Sequence, residues 1–518
     1  VTRAEPAAAP PARREAEQKF RVHGLFRLPD LHDVPGVHEV EDHGSTELES
    51  SYFDTEDLRL IREGITLRRR TGDDPGWHLN LSAADPRQGV RDEIRLPLSA
   101  SAGRPPDELL RIVRAVIRGS PVRHISTLRT YRTTYLLRNA NGKPVAELVD
   151  DAVHVLTGDG TVTARFRELE LDERKGGKAA GRVAAALTGA GAVGGEFVAK
   201  VVRALGPAAT SPPEVPDPAE PGPDDPAADT VTAYLAVQIR ALRKADLAFR
   251  WAPESSEDAV HRMRVAARRL RGALRTFRPL LDSGRTVHLA SELAWFARGL
   301  NELRNNDVLR ARLIAHSAHL PEEVPSGPVN AFVEAALTAD AAEAHAYALA
   351  ILDSRRYLRL HDELVAAVHD PSFGGESGGS ARDVLPALAH KVWKRLRASA
   401  DSLRENAPAQ EWHRVRLHAK RARYAAEAVA MSLGDDAAAF AREMRKLTDI
   451  LGEHEDAHQA IDALHLLARR PPADAEIVFA LGALATVEKD HALRARVRFT
   501  DAWSRTRRVG APRTWTGG

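Results

Sequence analysis

The 518-residue sequence has no cysteine. That excludes disulfides, thiolate nucleophiles and every zinc or iron–sulfur site needing a cysteine ligand, and it favours an intracellular setting. Long apolar runs are missing too. No window of roughly eighteen residues is unbroken by polar side chains, and the Ala/Pro-rich beginning lacks an apolar signal core, so neither a membrane span nor a secretory signal is expected. The chain reads as soluble and cytoplasmic. Net charge is also small: 74 basic and 72 acidic side chains leave +2, so attraction for a polyanion has to come from local segregation of charge. Phosphate-cradling and metal loops of the Walker A, G-x-G-x-x-G and EF-hand kinds are absent, which argues against P-loop or dinucleotide chemistry.

What is present falls into two grammars on either side of a proline- and acid-rich stretch, Pro207–Ala228, read as an extended linker. Before it, short alternating runs at 15–23, 65–71, 90–96, 128–138 and 165–172 are separated by turn signals such as Asp73-Asp74-Pro75-Gly76 and Asn141-Gly142. With helices expected near 105–118 and 178–190, this half is an α+β domain over 13–206. After the linker, long Ala/Leu/Arg/Glu-rich stretches of helical period predict an all-α domain over 229–508. It contains an internal repeat, about 229–370 and 381–508. His261-Arg262-Met263-Arg264-Val265 with Arg268-Arg269-Leu270-Arg271 returns as His413-Arg414-Val415-Arg416-Leu417 with Lys420-Arg421-Ala422-Arg423.

On a helix, His261, Arg264, Arg268, Arg271 and Arg275 form one stripe, and His413, Arg416, Lys420 and Arg423 form another. Stacked like charges repel by a few tenths of a kcal/mol per pair, a cost that an anion relieves. By count, the part after the linker carries an excess of about six positive charges. The stripes lack interleaved aromatics and no helix-turn-helix, zinc-finger or RNP pattern appears, which disfavours nucleic acid. A base-free phosphate polymer remains.

In the first half, strand alternation puts Glu15, Glu17, Lys19 and Arg21 on one face, and Glu168, Glu170 and Asp172 on one face of another strand. Carboxylates without histidine or thiolate partners suit Mg²⁺ or Mn²⁺. Basic residues alternate comparably: Arg68 with Arg70, Arg91 and Arg95 beside Glu93, and Thr130 with Arg132. Acidic and basic walls of this kind would clamp a metal–phosphate chain.

Two resemblances follow from these residues. The paired His-x-x-Arg-x-x-x-Arg/Lys phrases, each followed by a second related phrase, Leu300–Asp307 or Leu451–Asp456, resemble the CHAD family, the conserved-histidine α-helical domain. The resemblance implies a double helical bundle that binds inorganic polyphosphate through His261, Arg264, Arg268, Arg271, His413, Arg416, Lys420 and Arg423. Asn305 and Glu455 depart from the family pattern. The series Glu15-x-Glu17-x-Lys19, Tyr52-Phe53-Asp54-Thr55, Leu58-Arg59-Leu60, Ile65–Arg70 and Trp77-His78-Leu79 resembles the CYTH family, the triphosphate tunnel metalloenzymes. That implies an eight-stranded antiparallel tunnel barrel that hydrolyses inorganic triphosphate or another triphosphate with Mg²⁺ or Mn²⁺. Glu15, Glu17, Glu168 and Glu170 match its metal-binding, catalytic carboxylates, and Asp150 a further acidic position. Lys19, Arg68, Arg70, Arg129 and Arg132 match phosphate-binding positions, Glu93 the acidic member of an Arg-x-Glu strand, and Lys200 a lysine that closes the tunnel.

One departure bears on activity: Asn80 stands where the family has a phosphate-binding lysine, at a cost of about 2–4 kcal/mol of transition-state stabilisation. The expectation is therefore a cytoplasmic triphosphatase, weak if Asn80 is uncompensated, tethered to a polyphosphate-binding module and associated with polyphosphate granules. The alternatives are a non-catalytic polyphosphate-binding scaffold, or an adenylyl cyclase or thiamine triphosphatase. His454-Glu455-Asp456-Ala457-His458 satisfies H-E-x-x-H, but it coincides with a repeat phrase and lacks an indicated third ligand, so zinc is not expected. Gly375–Gly379 satisfies G-x-S-x-G without a preceding strand and reads as a loop.

Overall fold

The computed structural model describes residues 12–82, 90–101, 103–172, 178–195, 199–252, 256–324, 326–375, 377–471, 474–508 and 512–515, with backbone alone at 12–17, 82, 90–91, 256–257, 302, 304 and 513. The chain divides into two compact units at Glu214/Val215.

In the first unit, the alternating runs form strands β1 (Ala12–Val22), β2 (Glu39–Asp54), β3 (Thr66–Thr71), β4 (Gly76–Ser82), β5 (Val90–Leu96), β6 (Arg123–Arg138), β7 (Pro144–Leu156), β8 (Val162–Asp172) and β9 (Val193–Gly194). They make one antiparallel sheet in the order β5-β4-β3-β2-β6-β7-β8-β1-β9. β1 divides its pairing: Ala12–Ala16 lie opposite β5, and Glu17–Val22 opposite β8. The sheet thus has nine strands among the described residues where eight were expected. The extra one, β9, pairs only with Phe20 and Arg21, too short a contact to leave an alternating pattern in the sequence. Between the strands lie α1 (Arg59–Arg62), α2 (Asp107–Ile112), α3 (Arg114–Ile117) and α4 (Lys178–Gly189), and α5 (Lys200–Leu205) follows β9.

Because strand side chains alternate, register partners share a face. Following them from strand to strand separates an apolar face from a polar one. On the apolar face Leu148, Leu169 and Leu171 pack with Ala180, Val183 and Leu187 of α4, while Trp77, Leu79 and Ile94 are fully buried. The Tyr52–Leu60 phrase has a structural task. The buried Asp54 carboxylate accepts hydrogen bonds from the backbone N–H groups of Thr55, Leu60 and Ile61, which holds the turn where Leu58 adopts φ +56°.

The second unit consists of α6 (Ala227–Trp251), α7 (Ser256–Thr276), α8 (Ser283–Gly299), α9 (Asn301–Ser317), α10 (Ser326–Asp353), α11 (Arg355–His369), α12 (Ala381–Asp401), α13 (Ala409–Leu433), α14 (Asp435–Leu467) and α15 (Ala475–Thr506). Side-chain caps start several of them: Asp282, Ser354 and Asp474 accept from the N–H groups of Arg285, Tyr357 and Ile477, supplying partners for otherwise orphaned donors. Gly434, at φ +66°, makes the break between α13 and α14. The two repeat phrases fall on α7 and α13.

Acidic residues in and beside the expected linker are engaged in ion pairs. Glu214 accepts two hydrogen bonds from Arg118, at 2.7 and 2.5 Å, within the first unit. Within the second, Asp217 pairs with Arg240 and Asp224 with Arg382. Acidic residues that look purely solvating in sequence are thus ion-pair partners for arginines far along the chain.

Candidate functional site

The polar face of the sheet gathers two groups of charge. The acidic group comes from β7 and β8, where Asp151 lies opposite Glu168 in register. Asp151, Glu168 and Glu170 are all buried. Lys200, at the start of α5, places its Nζ 3.0 Å from Asp151, 2.8 Å from Glu168 and 2.7 Å from Glu170. Its position follows from its neighbour: Val201 packs with Tyr52, Leu128, Val153 and Val155, which carries α5 over the polar face. Lys19 also bonds to Glu170, Arg203 reaches Glu168 at 2.9 Å, and Arg132 grips Asp151 with two nitrogens, at 2.9 and 2.7 Å. These cations outweigh desolvation, so Asp151 and Glu170 are held below the usual carboxylate range, and the three carboxylates raise Lys200.

The basic group is built on β3, β4 and β5. Arg68 lies opposite His78, and Asn80 opposite Glu93. Glu93 is the hub: His78 Nδ1 lies 3.0 Å and Arg68 3.2 Å from Oε1, and Arg95 is bonded to Oε2. Despite burial, His78 and the arginines depress the Glu93 carboxyl. Arg70 has no ion pair among the described residues, and its buried Nε lacks a hydrogen-bond partner. Burial and the charges of Arg68 and Arg132 lower it to about 10. An arginine in that state is a prepared anion ligand.

In the second unit, α7 and α13 cross with the ring of Tyr424 against Gly272, where an added Cβ would meet it at 3.3 Å. A cavity of about 1260 Å³ opens beside the crossing, lined by His261 and by cations that include Arg264, Arg268, Arg416, Lys420 and Arg423. Glu427 ties the two helices by accepting from Arg269 and Arg423, each at 2.7 Å. Arg268 Nε and Arg416 Nε are buried without hydrogen-bond partners. Burial, with Arg416 and Arg268 close by, drives Lys420 down to about 6.

Comparison with known proteins identifies the two domains. The CYTH domain model matches residues 13–188 and the CHAD domain model residues 233–465. The uncharacterized protein MT2285 of Mycobacterium tuberculosis is 32% identical over 514 residues, covering 95% of this chain and 96% of its own; the uncharacterized protein Rv2226 of another strain matches to the same extent. The chain belongs to the CYTH–CHAD family. Among solved structures, PptA from Streptomyces chartreusis is 26% identical, covering 54% of this chain and 99% of its own with a TM-score of 0.46. The CHAD domain from the plant Ricinus communis is 23% identical, covering 56% and 94%, with a TM-score of 0.45.

Within the CYTH domain the structure brings Lys19, Arg132, Glu168, Glu170 and Lys200 together, and Arg68 with Arg70 and Glu93. It separates two expected members. Asp150 lies opposite Leu169 on the apolar face, where Arg167 binds it at 2.7 Å; the acidic group contains Asp151 instead, because a one-residue shift in a strand reverses the face. Arg129 is three residues from Arg132, so it also points to the other face, paired with Glu47 and Glu49 at 3.2 and 3.0 Å. The side chains of Glu15, Glu17 and Arg91 lie outside the described residues. Backbone register sets Glu17 opposite Asp172 and Glu15 opposite Arg91, on the polar side. His78, a partner of Glu93, carried no signal beyond its place in the Trp77-His78-Leu79 phrase.

Within the CHAD domain, Arg271 and His413 do not line the cavity. Arg271 faces Arg275, Arg421 and Arg298, which with burial lower it, and His413 Nδ1 lies 2.9 Å from Glu455. A straight stripe spans more of a helix than one cavity covers. Conversely, Lys244, Arg269, Arg312 and Arg445 line it without belonging to either stripe as read from spacing. The H-E-x-x-H histidines have rings 4.3 Å apart, but two of their nitrogens are engaged elsewhere: Arg496 Nε donates to His454 Nε2 at 3.0 Å, while His458 Nδ1 lies 3.0 Å from the His454 carbonyl. Glu376 of the G-x-S-x-G run lies outside the described residues.

Proposed function

We propose that the CYTH domain hydrolyses inorganic triphosphate or a related triphosphate with Mg²⁺ or Mn²⁺, and that the CHAD domain binds inorganic polyphosphate. The observation carrying this reading is the division of one sheet face into a convergent carboxylate group and a separate arginine group. The β5–β1 pairing supports a closed tunnel of eight strands, with β9 as an appendage. Among the described residues no three carboxylates or histidines stand in a ready metal-holding arrangement, yet the donor chemistry fits a hard cation. Asp151, Glu168 and Glu170 converge within 3.0 Å of one point, now the Lys200 ammonium, and all the donors are oxygen. Glu15 and Glu17 would join them from β1.

A divalent cation bound there would neutralise phosphate oxygens and acidify water. The protein's own groups do the rest. Arg68, Arg70 and Arg132 fork onto phosphate oxygens and fix the chain along the polar face. Arg70 gains the partner it lacks. Carboxylates opposite orient water for in-line attack at the terminal phosphorus, with Glu170 placed to accept its proton once Lys19 and Lys200 turn to the phosphate chain. The test is phosphate release from tripolyphosphate with either ion. Glu170→Gln should lower turnover at least about a hundredfold, and full activity in that variant would sink the mechanism. A second reading, binding without turnover, is favoured by Asn80, which is buried on the arginine side where the family has a lysine; triphosphate binding with no phosphate release would establish it.

A further inference from the structure

One of the cavity's cations is tied down. Arg312 of α9 lines the cavity, but its Nε donates to Glu488 Oε2 at 2.8 Å and a terminal nitrogen donates to Glu453 Oε1 at 2.9 Å. Glu488, on α15, is completely buried, so it cannot exchange this partner for water. The same two carboxylates meet imidazoles. His316 Nδ1, one turn along α9, lies 2.7 Å from Glu488 Oε1, and His491 Nδ1, on α15, lies 3.6 Å from Glu453 Oε1. The His316 and His491 rings stack at 4.1 Å and 7° between planes, with His319 edge-on to both at 6.0 and 6.2 Å.

The charges of this group do not balance while the imidazoles are neutral. Two carboxylates face one guanidinium, a net charge of −1 against the wall of a basic cavity. One proton on the stacked pair brings the sum to zero, and two bring it to +1. Each proton also gives Glu488 or Glu453 a second cation, so Arg312 is no longer the sole positive charge on a buried carboxylate, the condition that makes its departure costly. We propose that Arg312 is a phosphate ligand released by proton uptake at the His316–His491 pair, so that the cavity takes phosphate chains more tightly in mild acid. This rests on the polyphosphate reading of the CHAD domain.

The surroundings set where the change falls. From α9 the pair meets Arg312, from α14 Glu453, from α15 Glu488, and from the turn after α9 His319; Asp456 on α14 lies near Arg312 and Glu453. Glu453 and Glu488 favour imidazolium, whereas burial, the stacked neighbour and Arg312 oppose it. For His491 the opposing influences win, burial first and His316 next, and its pKa lies below the ordinary imidazole value. Proton uptake at His491 therefore falls on the acid side of about pH 6.5.

The experiment is equilibrium binding of long-chain inorganic polyphosphate to the full chain at constant ionic strength, in mild alkali and mild acid. Wild type should tighten about tenfold on acidification, a change of about 1.4 kcal/mol. His316→Gln/His491→Gln retains the Arg312 ion pairs, and most of that tightening should vanish; the remainder belongs to Lys420 and other titrating groups, which the variant keeps. Glu488→Gln loosens Arg312 at every pH and should already bind tightly in alkali, with a flattened profile. If the double histidine variant tightens as much as wild type, or Glu488→Gln binds no better in alkali, the proposal is wrong. Arg416→Gln separates the two readings. Weaker binding in it upholds the cavity as the polyphosphate site whatever the histidines do, while unchanged binding overturns the site and the proposal with it.

Discussion

The two domains hold buried positive charge in opposite ways. On the CYTH polar face Lys200 sits among three carboxylates and Arg132 grips Asp151, so most of the charge is balanced within the protein. In the CHAD cavity Lys420 has no ion pair among the described residues and is driven down to about 6 by burial and by Arg416 and Arg268. The first arrangement exchanges internal partners for substrate and metal. The second ties Arg269, Arg312 and Arg423 to carboxylates but leaves Lys420, and the buried Nε atoms of Arg268 and Arg416, waiting, at a cost in stability that a polyanion recovers on binding. The lesson is that similarly basic residues mean different things depending on whether the fold supplies their counter-charge.

Paired lysine substitutions should break this comparison most clearly. Lys200→Met strands buried carboxylates, and the CYTH domain should lose about 3–5 kcal/mol. Lys420→Met removes an uncompensated charge, and the CHAD domain should become more stable while losing at least about tenfold in polyphosphate affinity. Hydrogen exchange read separately from peptides of each domain distinguishes the effects, and destabilisation of the CHAD domain by Lys420→Met would defeat the argument. The pH dependences are opposed as well. Lys200 is raised in the folded state, so its contribution is complete below its unfolded value of about 10.5 and is lost as pH climbs through the still higher folded one. Lys420 is lowered, so the unfolded chain binds more protons between about pH 6 and 10.5, and CHAD stability rises with pH across that window.

Much of this contrast was legible in the sequence, for reasons tied to period. Glu168-x-Glu170 and Arg68-x-Arg70 declare a common face because strands alternate strictly, and His261 to Arg268 share a helical face at three- and four-residue spacing. Legibility ended where the period could not choose. In Val149-Asp150-Asp151-Ala152 two adjacent aspartates fit opposite faces, and only register with β8 shows that Asp151 joins the glutamates. The role of Arg312 was hidden because its partners lie on α14 and α15, more than a hundred residues away in the chain. Lys200 was nameable only by family likeness, since what brings it to the carboxylates is the packing of Val201.

A smaller effect should come from adding a cation to the balanced side. Asn80 is buried, with its Nδ2 3.5 Å from Thr66 Oγ1, and lies opposite Glu93 in register. An ammonium in Asn80→Lys would find that carboxylate nearby and project onto the phosphate wall. Tripolyphosphate turnover should rise at least about tenfold, the low end of what one preorganised donor contributes. Unchanged turnover would mean that His78 and the neighbouring arginines already supply the missing charge.

The least effect is expected at the arginine that spacing alone would group with its neighbour. Arg129 and Arg132 share a strand, yet Arg129 pairs with Glu47 and Glu49 on the face away from Asp151. An exposed ion pair in water contributes little, because solvent and salt screen it. Arg129→Gln should therefore leave tripolyphosphate turnover within about twofold of wild type, whereas Arg132→Gln removes both a phosphate fork and the partner of Asp151. Equal losses in the two variants would show that the polar face described for β6 is not the one that meets the substrate. The alternation that assigns Asp151, Glu168 and Glu170 to a single site would then fail with it, since all four positions rest on the same register.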